Sequence, residues 1–113
     1  MKVESSDWPS VSIVVLTWNN FQDTSECLTS LRNLEYPRYN VVVVDNGSTD
    51  DSYTRLNKEF PECEFIQNHS NRGFAAGNNR GIKYALNEGA DYILLLNNDT
   101  IVEPGFLSPL VTT

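Results

Sequence analysis

Four short stretches hold most of the residues able to do chemistry: TWNN at 17–20, DNGSTDD at 45–51, NHSNRG at 68–73 and NNDT at 97–100. Each follows a run of apolar residues and is made almost wholly of Asn, Asp, Ser, Thr and Gly, with one aromatic, Trp18, among them. Amide and hydroxyl side chains offer short donors and acceptors for sugar hydroxyls or base edges, and a carboxylate is a hard ligand for a divalent cation. Any one stretch reads equally well as a turn or a helix cap. The set becomes informative if the fold brings all of it to one place.

A nucleotide would use such a set. Trp18 offers a flat face to a base, Asp45 or Asn46 a partner for a base edge or ribose, and Asp99 a ligand for a divalent cation. The cation matters because 15 acidic residues against 8 basic ones give a net charge of -7. A diphosphate must then be met by backbone amides or a metal, and a nucleic-acid backbone, which needs a cationic field, is excluded as a general partner. The familiar phosphate loops are missing: TWNNFQD, after the first apolar run, contains no glycine, and no Walker A pattern occurs. Gly73, Gly77 and Gly81 in GFAAGNNRG are spaced by four, which predicts one helix face packed closely on a sheet. The sole histidine, His69, reads as a solvated loop residue.

The elements that must position these stretches follow from periodicity. VSIVVLT (11–17), NVVVVDN (40–46), EFIQN (64–68) and DYILLLN (91–97) read as strands buried on both faces, the habit of parallel sheets. Between the first two, Cys27, Leu28, Leu31 and Leu34 recur at helical spacing behind the capping candidates Asp23, Thr24 and Ser25, and Tyr36-Pro37 stops the helix. A shorter helix follows GSTDDS with Tyr53, Leu56 and Phe60 inward, and a third runs from Gly73 through Ala76, Ile82, Ala85 and Leu86 to a C-cap at Gly89. The order β-α-β-α-β-α-β predicts a three-layer α/β/α domain with a mostly parallel sheet. In such sheets ligands bind beyond the carboxyl ends of the strands, where all four polar stretches fall.

The 113 residues suit one domain, 1–113, with a real core. Cys27 and Cys63, in a helix and a strand and without CxxC or Cys/His spacing, read as reduced packing residues. The N-terminus MKVESSDWPS lacks the apolar core of a signal peptide and no apolar run approaches a membrane span, so a cytoplasmic location is expected. PGFLSPL reads as the first turn of a further helix, after which the chain stops; a sheet of this type normally continues, so a truncated domain is expected.

VSIVVLTWNN, VVVVDNGSTDDS, NRGFAAGNNRGI and YILLLNNDTIVEPGFL, in this order from Val11 to Leu107, resemble the amino-terminal, nucleotide-sugar-binding part of family 2 glycosyltransferases, which have the GT-A fold. The resemblance implies inverting transfer of a sugar from a UDP-, dTDP- or GDP-linked donor to a saccharide or lipid-linked acceptor, assisted by Mg or Mn, in polysaccharide or cell-wall synthesis, with the full-length protein at the inner face of the membrane. It puts Leu16, Thr17, Trp18 and Asn19 in the first nucleotide-binding loop, Asp45 and Asn46 at the base and ribose, Gly73 and Asn78 on the donor, Asn97 and Asn98 in the D-x-D region, and Asp99 on its metal-binding carboxylate. Three positions depart from the family pattern: Asn46 replaces a second acid, Asn78 an arginine, and Asn97 the first aspartate of D-x-D. DNGSTD, GFAAGNNRG and LNND together look most like the rhamnosyltransferase-type branch. The family's general base lies in a second half, beyond residue 113, so no catalytic residue is assigned and the isolated piece is expected to transfer little or nothing. The competing reading is a non-catalytic, receiver-like α/β module, which would need acids clustered after the first strand, where this chain has LTWNN.

Overall fold

In the computed structural model, which describes residues 8–112, the β-branched runs and amphipathic segments alternate as β1 (Val11–Thr17), α1 (Phe21–Arg32), β2 (Tyr39–Asp45), α2 (Ser52–Glu59), β3 (Glu64–Gln67), α3 (Gly73–Asn87), β4 (Tyr92–Asn97) and a short α4 (Ser108–Thr112). The strands form one sheet in the order β3-β2-β1-β4, every neighbouring pair parallel. This is the expected three-layer α/β architecture. Thr17 stands opposite Asp45, and Leu16 opposite Asn97, so the central strands end nearly level and the four polar loops leave along one edge. From β1 the chain steps outward to β2 and β3, then returns to the other side of β1 as β4. That reversal opens a crevice between the loops after β1 and β4.

The two faces of the sheet are covered differently. On one, Ile13, Val15 and Val43 join Cys27, Leu28 and Leu31 of α1 and Leu56 of α2 in a thick core that also takes in Phe60, Val102 and Leu107. On the other, Val14, Val42 and Val44 meet α3, whose buried face is made of Gly77, Asn78, Gly81 and Ala85. The larger Leu86 is 61% exposed, so the helix is pressed to the sheet by its small residues rather than by the apolar spacing read from Ala76, Ile82 and Leu86. A Cβ on Gly81 would lie 2.7 Å from methyl groups of both Val14 and Val44. Gly73 does not share that contact: it sits at φ +79 with open space around it.

Several boundaries and burials differ from expectation. β1 and β2 are buried on both faces, but β3 and β4 are the sheet edges, and Tyr92 and Leu95 are 50% and 44% exposed. Continuous apolar character marks a parallel strand without saying which strands lie inside the sheet. α1 is capped earlier than Asp23: the Asn20 side chain accepts from the Asp23 backbone N–H at 3.1 Å and donates to its carboxylate at 3.2 Å. The helix ends at Arg32, and Leu34 and Tyr36 lie beyond it yet still reach the core. Cys63 falls one residue before β3, and α4 begins at Ser108 rather than Pro104. Gly89, at φ +81, closes α3 as expected: its N–H bonds the Leu86 carbonyl and that of Ala90 bonds Ala85, both at 3.1 Å.

Gly81→Ala is expected to destabilise the domain by about 1–3 kcal/mol, because two β-branched neighbours must yield to the new methyl. Gly105→Ala, with nothing near its Cβ, serves as the control in urea unfolding. Equal midpoints for the two variants would show that α3 is not held at this distance.

Candidate functional site

The crevice at the reversal of strand order is a cavity of about 450 Å³. Leu16, Thr17, Trp18 and Asn20 line it from the end of β1, Asn97 and Asn98 from the end of β4. Asn46, Asn71, Gly73 and Phe74 complete the far wall. No charged side chain contributes to this lining. Two exposed aromatics, Trp18 at 47% and Phe74 at 58%, flank the amides. Trp18 is therefore no core residue.

Each expected site residue has a definite place. Leu16, Thr17, Trp18, Asn46, Gly73, Asn97 and Asn98 come together on the cavity, whereas Asn19, Asp45, Asn78 and Asp99 do not line it. Thr17 is buried and shares a 2.8 Å hydroxyl bond with Thr24, which also accepts from Asn98 Nδ2 at 3.0 Å. The end of β1, α1 and the loop after β4 are thus tied by one relay. The same loop is pinned twice more, by Cys27 Sγ donating to the Asn97 carbonyl at 3.9 Å and by the Val102 N–H donating to Ser30 Oγ at 3.1 Å.

Asn19 and Asp45 organise loops rather than face the cavity. Asn19 has φ 48, a left-handed conformation that asparagine tolerates, and its Oδ1 accepts from the Thr49 N–H at 2.8 Å while its own N–H donates to Ser48 Oγ at 2.8 Å. Asp45 Oδ1 accepts from the N–H groups of Gly47 and Ser48 at 3.0 and 2.7 Å, and its Oδ2 is buried without a protein partner. Where this turn crosses the loop after β3, a Cβ on Gly47 would stand 2.6 Å from Ser70 Cα. Asn78 is buried on α3, its Nδ2 donating back to the Phe74 carbonyl at 3.0 Å and its Oδ1 unpartnered. His69 is exposed, as expected.

Asp99 is exposed beyond the cavity wall and makes no hydrogen bond or ion pair among the described residues. The described residues contain no group of three or more His, Cys, Asp or Glu side chains able to hold a metal. A lone carboxylate beside amides still suits Mg or Mn, which commonly take one or two protein carboxylates and complete their shell with phosphate oxygens and water. Three lining residues escaped the sequence reading: Asn20, Asn71 and Phe74. Asn20 and Asn71 stood inside the polar stretches without being singled out, and Phe74 follows Gly73 at the start of the third helix, outside those stretches.

A family model described as glycosyl transferase family 2 matches residues 12–113. The poly-beta-1,6-N-acetyl-D-glucosamine synthase of Staphylococcus epidermidis is 28% identical over 105 residues, 91% of this chain and 25% of that protein. This chain therefore spans about a quarter of the length of the curated relatives it matches. Among solved structures, S. aureus TarS 1–349 in complex with UDP-GlcNAc has a TM-score of 0.75 at 25% identity, over 84% of this chain and 28% of that one. The mannosyltransferase of Pyrobaculum calidifontis in complex with GDP-Man and Mn2+ has a TM-score of 0.71 at 25% identity, over 85% of this chain and 29% of that one. Among the described residues no helix is long and apolar enough to cross a membrane.

Both thiols are free. Burial, with the Asp99 charge adding to it, pushes Cys27 up to about 11, and burial with the Glu62 charge pushes Cys63 up to about 12. A raised pKa in the folded state favours the protonated thiol, so its contribution is complete below the unfolded value, about 8.5, and is lost as pH rises toward 11. Urea-unfolding free energy is expected to fall over that interval, and both thiols to resist alkylation of the native chain near pH 8. Rapid modification of Cys27 without unfolding would contradict this placement.

Proposed function

The chain belongs to glycosyl transferase family 2, and from that premise we propose that its polar sheet edge is the donor-binding part of the enzyme, taking a nucleoside-diphosphate sugar. The observation that carries this reading is the neutral, amide-lined cavity at the strand-order reversal, with Trp18 and Phe74 beside the amides. Aromatic faces stack on any base, and amides read base edges and sugar hydroxyls. Free capacity remains at Asn98 Oδ1, Asn71 Nδ2 and both ends of Asn97, after the internal bonds of the site are made. The relatives whose structures carry UDP-GlcNAc and GDP-Man support the class of donor, and UDP, dTDP and GDP are the nucleotides to test.

Asp99, with Asn97 and Asn98 before it, would hold Mg or Mn against the diphosphate. The cation would supply the positive charge that the neutral lining lacks. In the whole protein, an acceptor hydroxyl attacks the anomeric carbon opposite the diphosphate. The bond from that carbon to the diphosphate oxygen breaks, the nucleoside diphosphate leaves with the electron pair, and the hydroxyl proton passes to a general base. The cavity lining contains no carboxylate to act as that base. We assign the base, and the site for a saccharide or lipid-linked acceptor, to parts of the protein other than this chain, which by itself binds donor without efficient transfer. The rhamnosyltransferase-type branch rests on DNGSTD, GFAAGNNRG and LNND taken together.

Calorimetry of the folded chain with UDP, dTDP and GDP in the presence of Mn2+ is expected to show binding of at least one. Trp18→Ala should weaken it about tenfold or more, the scale of a lost base–aromatic stack, and Asp99→Ala should remove the Mn2+ dependence. Absence of binding to all three nucleotides would sink the proposal.

A further inference from the structure

Asn46 is 2% exposed at the end of β2 and spends its whole amide inside the protein. Its Oδ1 accepts from the backbone N–H of Arg72 at 3.2 Å and from Asn68 Nδ2 at 3.1 Å. Its Nδ2 donates to the Gly73 carbonyl and to Asn71 Oδ1, both at 3.2 Å. A backbone N–H can only donate and a carbonyl only accept, so the two halves of this amide cannot be exchanged. Asn68 is fixed in the same manner, donating to the Gly77 carbonyl at 3.3 Å and accepting from Arg80 Nη1 at 3.3 Å. α3 leaves room for the arrangement only because residue 77 is glycine: a Cβ there would stand 2.8 Å from Asn46 Nδ2.

The loop gripped by this amide carries Asn71, Gly73 and Phe74, the far wall of the cavity. An aspartate of the same shape would keep the acceptor but turn the donor into a second acceptor, set against the Gly73 carbonyl and Asn71 Oδ1. We propose that Asn46 is the positioning residue of the cavity: its amide sets the loop that places Asn71 and Phe74, and an acid at this position cannot replace it. The effect on ligand affinity rests on the donor-binding reading above, whereas the effect on loop order does not.

The test is Asn46→Asp in the whole chain. The charged groups nearby are Asp45 on the same strand, His69 and Arg72 in the loop, and Arg80 on α3, so wild type is measured at every pH as the reference. Near pH 8 the variant is expected to lose about tenfold of hydrogen-exchange protection at the Arg72 and Gly73 amides, with the sheet unchanged, and about tenfold of UDP or GDP affinity in Mn2+. Near pH 5 both should recover, because a buried carboxyl takes up a proton readily and regains an O–H donor. Wild-type protection and affinity at pH 8, or a loss that does not recover at pH 5, would overturn the proposal. If the variant does not fold, the wild-type Asn46 side-chain amide protons decide: slow exchange supports the buried bonds, and exchange at solvent rates refutes them. Should wild type bind neither nucleotide, the donor reading falls while the protection data still judge the role of Asn46.

Discussion

The carboxyl edge of this sheet is built under one constraint: its polar side chains sit directly above a valine core, where a buried polar group must find a partner inside the protein. Thr17, Asp45, Asn46 and Asn68 are all buried and bond within this layer rather than to the strands below: Thr17 to Thr24 of α1, Asp45 through Oδ1 to its own turn, and Asn46 and Asn68 to each other and to the loop and helix after β3. Unpaired, each would cost about 1–3 kcal/mol. The resulting bonds join the loops after β1, β2 and β3 into a continuous polar layer, and the cavity is what the layer leaves open. Three buried oxygens among the described residues, Asp45 Oδ2, Ser52 Oγ and Asn78 Oδ1, stand outside this accounting.

The unequal covering of the two faces follows from the same site. α3 reaches the sheet through glycine and alanine, and its close approach at Gly77 and Gly81 brings its first turn, with Phe74, to the cavity rim. A helix of larger residues would bury more apolar surface but would stand further off and leave no space for Asn46. α1 works differently. It packs through Cys27, Leu28 and Leu31 and reaches the loop after β4 with Thr24, Cys27 and Ser30, each one turn apart. One helix sets the far wall of the cavity and the other holds the strip that ends in Asp99.

β4 carries both a site and an edge. Its inner hydrogen bonds fix Asn97 beside Leu16, while its other side is unpaired within the described residues and leaves Tyr92 and Leu95 half exposed. The apolar run before NNDT is thus only half covered here, and its rigidity comes from β1 and from the three links to α1.

Much of this was legible in the residues. Periodicity and turn chemistry specify the alternation of elements, the parallel habit of VVVV-type strands, the small-residue face of α3 and the gathering of four polar loops on one edge. These are local properties, carried by spacing of two and of four. What sequence could not decide is which polar side chains are consumed in holding the site and which remain to serve a ligand. Asp45, Asn46, Asn19 and Thr17 have the right chemistry for a ligand yet spend it on the protein, while Asn20, Asn71 and Phe74 look like ordinary cap or core residues yet line the cavity. For Asn46 and Asn19 the difference lies in partners 25 to 30 residues away in the chain, Asn71 and Thr49. Only the close packing of β2, α3 and their loops brings those partners within hydrogen-bond distance.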